Sequence, residues 1–120
     1  MNIEKYQALI REIQATNGAW HAMQVLFGND APLAKSSRFL KSRLQLRLLR
    51  QYPENVSLEI DNSVESEPLY GIKLRVPVGD RTDAMHLPVR IVNDWLSRQV
   101  ITQQELDGWL NQQDLGSLDK

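Results

Sequence analysis

Ile3, Tyr6, Ile10 and Ile13 recur at three- and four-residue spacing, which predicts an amphipathic helix over residues 2–15. Asn17-Gly18 then reads as a helix stop, because glycine and asparagine take the left-handed conformation that ends helices. The run 19–27 holds Trp20, Met23 and Phe27 on one helical face and predicts a second, short helix. Gly28-Asn29-Asp30 breaks the chain, and Pro32 is assigned to the loop that follows.

Residues 36–51 fit two periods. As a helix, they set Leu40, Leu44 and Leu48 on one stripe and Phe39, Leu46 and Leu49 on another, with Arg43, Arg47 and Arg50 between. As a strand, residues 43–48 alternate cleanly. Leucine, arginine, glutamine and lysine favour helix and no β-branched residue occurs here, so helix is the preferred reading. Tyr52-Pro53 ends the element in either case.

Alternation takes over downstream. Val56, Leu58 and Ile60 alternate with Ser57, Glu59 and Asp61, and Ile72, Leu74, Val76 and Val78 repeat the pattern within 69–78. The acidic link 62–68 and the segment 79–83 read as turns, and 84–87 as a third strand of an antiparallel meander. Pro88 fits the first position of a helix running to about Arg98, with Val92, Trp95 and Leu96 on its buried side. Thr102 and Glu105 have the spacing of a capping box, which starts a last helix with Leu106, Trp109 and Leu110 on its apolar face. The expected class is α+β: N-terminal helices, a small antiparallel β-meander and two C-terminal helices. It is expected as a single domain over 1–113, with 114–120 a frayed tail.

Composition narrows the classes of function. At 120 residues with 42% hydrophobic and 24% charged side chains, the chain has globular proportions and can bury a core unaided. It has no cysteine, which removes disulfides, thiolate nucleophiles and thiolate metal sites and suits a reducing, cytoplasmic setting. The start lacks the basic-then-apolar order of a secretory signal, and no apolar run approaches a membrane span. His21 and His86 are the only imidazoles and lack zinc-motif spacing, so neither a metal nor another cofactor is expected. The six glycines form no phosphate-binding loop, and no nucleophile elbow occurs. Asp83 and His86 are the nearest thing to a catalytic pair. An ordinary strand histidine is the simpler reading, and no enzyme activity is expected.

Charge is laid out unevenly although the net is only −1. Between Asp30 and Glu54 stand six cations and no acid: Lys35, Arg38, Lys41, Arg43, Arg47 and Arg50. Residues 54–67 then carry Glu54, Glu59, Asp61, Glu65 and Glu67 with no cation. The plain reading is a solvated or self-neutralised face, whose surface pairs add little stability. The functional reading is a non-enzymatic protein-interaction module, an adaptor, inhibitor or chaperone-like regulator, in which Arg38, Lys41, Arg43, Arg47 and Arg50 orient an acidic partner and Trp109 anchors it. A homodimer is expected on the same grounds, since two apolar stripes on one helix call for burial from two sides. The alternative is a nucleic-acid-binding regulator in which the basic segment 35–50 follows phosphates.

Overall fold

The computed structural model describes residues 2–62 and 67–118, with side chains described to residue 110. The class is α+β, in the order helices, three antiparallel strands, helices. The chain divides into two compact units, residues 1–51 and 52–120.

The first unit is a helical hairpin. α1 (Ile3–Phe27) is a single helix where the sequence predicts two. Its N-terminus is capped by Asn2, whose side chain accepts from the Lys5 N–H at 3.2 Å. The predicted stop at Asn17-Gly18 does not occur. Asn17 is turned to tertiary use, its Oδ1 accepting from Lys41 Nζ at 3.1 Å, and Gly18 keeps helical backbone. The real terminator is Gly28, at φ +87, whose N–H returns to the Gln24 carbonyl at 2.8 Å.

α2 (Pro32–Gln51) settles the ambiguity of 36–51 as helix. Pro32 is its first residue, not part of the loop, because a missing N–H costs nothing there. The leucines do not form two buried stripes. Ala34, Lys41, Ser42, Gln45, Leu48 and Leu49 follow one buried side, with Leu44 at its margin, whereas Phe39 and Leu40 are exposed. On α1 the buried side is Tyr6, Leu9, Ile10 and Ile13, followed by half-buried Trp20 and Met23. Phe27, predicted to share the face of Trp20, is 62% exposed.

The second unit holds β1 (Val56–Asp61), β2 (Leu69–Val78) and β3 (Arg81–Pro88) in the order β1-β2-β3. The loop between β2 and β3 is two residues, Gly79-Asp80, with Gly79 at φ +59 as tight hairpins require. β3 therefore starts at Arg81, earlier than the predicted turn over 79–83 allows. Val56, Leu58, Ile72, Leu74, Val78, Ala84 and Leu87 are buried. Val76 is only half-buried, and β1 departs further from strict alternation. Ser57 is buried beside Val56 and Leu58, while Ile60, expected inside, is 68% exposed near the end of an edge strand. The central part of the acidic link, residues 63–66 with Glu65, lies outside the described residues.

α3 (Val89–Ser97) follows directly, with Pro88 as its N-cap and Val92 and Trp95 buried. α4 (Gln103–Leu118) lies against β1 and opens with the predicted capping box: Glu105 N–H donates to Thr102 Oγ1 at 3.0 Å, and Thr102 N–H to Glu105 Oε1 at 3.1 Å.

Two measurements check this packing. Leu48→Ala removes a fully buried side chain and is expected to lower unfolding free energy by about 2–5 kcal/mol, whereas Leu40→Ala is expected to change it by about 0.5 kcal/mol or less in the same urea titration. Burial pushes the Tyr6 hydroxyl up from 10.0 to about 12. Below pH 10 the folded and unfolded chains both keep this proton. Above it the unfolded chain loses the proton first, so stability falls from pH 10 towards 12. A tyrosinate absorbance titration should show one of the three tyrosines ionising only near pH 12.

Candidate functional site

The six predicted site residues do not form one surface. Arg43, Arg47 and Arg50 are exposed and follow one another at four- and three-residue spacing on the outward side of α2. Arg38 and Lys41 point elsewhere. The Arg38 guanidinium lies 5.5 Å from the Trp20 ring centre and the Lys41 ammonium 4.9 Å from it, so both cations meet α1 over one indole. Lys41 is 4% exposed, which gives it a part in the hairpin seam. Trp109 belongs to the second unit, where it is buried with Leu106 on α4.

The outward side of α2 carries more than arginine. Leu33, Phe39 and Leu40 are exposed there, and Leu33, Leu40 and Arg47 recur every seven residues. Arg43 stands over Phe39 at 5.8 Å. The face is thus apolar in its first half and cationic in its second. Val25, Leu26 and Phe27 add exposed apolar side chains at the end of α1.

A second constellation occupies one side of the sheet. His86 Nε2 lies 2.6 Å from Asp61 Oδ2, so the edge strands β3 and β1 are joined across the central strand. They can meet because Gly71 is directly opposite both Glu59 and His86 and raises no side chain between them. The resulting groove, of about 280 Å³, is lined by Glu59, Asp61, Lys73, Asp83, Met85 and His86 around Gly71.

Two local departures from ideal strand geometry aim His86 into this groove. Between the Gly71–His86 and Lys73–Asp83 pairs, β3 spends three steps where β2 spends two. Strict alternation would put His86 on the side of Ala84, which is buried. The extra residue moves it to the opposite side. The bulge is held by Met85 at φ +65, a region that costs a residue with a side chain about 1–2 kcal/mol. Asp83 supports it: its Oδ1 accepts from Met85 N–H at 3.0 Å and from Arg81 Nη1 at 3.1 Å. The tempting sequence pair Asp83–His86 is therefore not the one that forms. Asp83 shapes the backbone, and Asp61, distant in sequence, meets the imidazole.

Gly71 has no conformational reason to be glycine, since its φ is ordinary and a Cβ added there meets nothing within 4 Å. Glycine in a strand costs about 0.5–1 kcal/mol relative to alanine. What it provides is the open floor of the groove. Among the described residues no group of three or more His, Cys, Asp or Glu side chains is placed to hold a metal ion. No helix among them is long and apolar enough to cross a membrane.

Gly71→Ala is expected to keep the fold and raise stability by about 0.4–1 kcal/mol, read as a higher urea midpoint. A lower midpoint would mean that the strand itself requires glycine. No family model, no curated protein and no solved structure matches this chain.

Proposed function

We propose that the chain is a non-enzymatic protein-interaction module, an adaptor, inhibitor or chaperone-like regulator, that docks an acidic, apolar-faced protein segment on the outward side of α2. The observation that carries this reading is the pairing, on one helix face, of exposed Leu33, Phe39 and Leu40 with exposed Arg43, Arg47 and Arg50. A solvated helix face has no need of three large apolar side chains in that register. Apolar anchors at an interface supply affinity by leaving water, and flanking charges mainly set association rate and partner choice.

The apolar half favours a protein over a nucleic acid. Phosphate tracking needs cations along the whole strip, and in its first half α2 exposes Lys35 among large apolar side chains, Leu33, Phe39 and Leu40. Arg38 and Lys41, which would extend the row, are engaged with Trp20. Self-association through the same face remains the alternative occupant, and it leads to the dimer expected from the sequence.

The test is capture from host lysate with the full chain and with Phe39→Ala/Leu40→Ala, each with nuclease treatment, followed by binding kinetics on the captured protein. The expected result is a protein that survives nuclease, is lost with the double variant, and associates about tenfold more slowly with Arg43→Glu/Arg47→Glu at low salt. The rate difference should shrink at high salt. Capture of nucleic acid alone, concentration-dependent dimers with no other partner, or an association rate indifferent to charge reversal would each overturn the reading.

A further inference from the structure

We propose that the groove over Gly71 is a binding site for a small zwitterion, a molecule of free-amino-acid size that presents an ammonium and a carboxylate together. The site lies in the second unit and does not depend on the interaction face of α2.

The protein leaves two charges in this groove uncommitted. Most ionic groups around the sheet are spoken for: Asp61 with His86, Asp83 with Arg81, Glu67 with Arg90. Within the groove lining, Glu59 and Lys73 are the exception. Both line the groove, and neither side chain has a hydrogen-bond or ion-pair partner among the described residues. They are diagonal neighbours, because Lys73 pairs with Ser57 and Glu59 pairs with Gly71. Opposite charges placed diagonally on adjacent strands are within reach of each other. Here they do not pair with each other, and both face the groove beside Gly71.

A ligand with one charge would satisfy one of these groups and meet the other as a repulsive neighbour. A zwitterion satisfies both, its ammonium donating to the Glu59 carboxylate and its carboxylate accepting from the Lys73 ammonium. The His86–Asp61 pair closes the groove on the side opposite Lys73 and fixes the spacing of the two edge strands there. At about 280 Å³ the space is at the small end of ligand sites, which suits a single amino acid.

Three features of this small sheet converge on the groove: glycine in the central strand, an extra residue in β3 and a left-handed Met85. Backbone departures of this kind cluster where a side chain has to be aimed.

The experiment is an NMR titration of the 15N-labelled full chain with a panel of free L-amino acids. Each is accompanied by its methyl ester, which keeps only the ammonium, and its N-acetyl form, which keeps only the carboxylate. The expected result is saturable shifts of the Gly71, Lys73 and His86 amides with at least one free amino acid, and binding about tenfold or more weaker for its two single-charge forms. Glu59→Gln, at a half-buried position, and Lys73→Met, at an exposed one, should each weaken binding by about the same factor, with the remaining spectrum unchanged. Gly71→Leu should abolish it by filling the floor. Absence of saturable shifts across the whole panel, equal binding of the ester or the N-acetyl form, or unchanged affinity in Glu59→Gln would overturn the proposal.

Discussion

A lysine ammonium with almost no access to water cannot be left without polar company, and Lys41 finds it on the opposite helix. Its Nζ donates to Asn17 Oδ1 and lies over the Trp20 ring. Burying such a charge without partners costs several kcal/mol, and breaking a buried charged contact typically costs about 3–5 kcal/mol. Three consequences follow along the chain. Asn17 is consumed as an acceptor, so it does not end α1. α1 then runs on to Gly28 and brings Trp20 level with Arg38 and Lys41. With those two cations turned inward, helical geometry turns Arg43, Arg47 and Arg50 outward. The outward face of α2 is thus fixed by the seam on its other side.

The sheet obeys a different constraint. A strand has a period of two, so one inserted residue exchanges the sides of everything beyond it. In β3 that insertion lies between Asp83 and His86, and it moves the imidazole from the buried side to the groove while Leu87 takes the buried position. Asp83 makes this possible by accepting the Met85 N–H, as a turn carboxylate does in a loop. The bond between His86 and Asp61 then spans the two edge strands, which no backbone ladder could do across an intervening strand.

Elements whose period was unopposed were legible in the sequence: α3, the capping box of α4, β1 and β2. The helix at 36–51 was legible through propensity, although its burial pattern was not. Leu40 and Phe39 look like core by type and are surface by register, because the seam is built on Lys41, Ser42 and Gln45 instead. No periodicity rule that treats polar residues as outward can find such a seam. Asn17-Gly18 failed for the same reason, since its role is decided by a residue 24 positions away. The groove was half legible. His86 stood out, but its partner was sought nearby in sequence, and a bulge leaves no composition signal apart from the Asp-x-Met-His order that a left-handed residue happens to occupy.

The two surfaces differ in what they ask of the fold, and that difference bears on what each can recognise. The outward side of α2 is regular helix, with no strained residue and no glycine, so its shape is common and its selectivity comes from the division between apolar and cationic halves. Such a face can accept segments of varied sequence, as an adaptor or regulator requires. The groove is irregular along β3 and open over Gly71. Its floor is a missing side chain, one rim is a bulge, and its charged groups come from three strands. A site assembled from single atoms at fixed spacing discriminates by leaving a charge unmatched when the wrong molecule enters, and that penalty exceeds the gain from contact area on so small a ligand. The helical face is therefore suited to a macromolecule and the groove to a compact, doubly charged one.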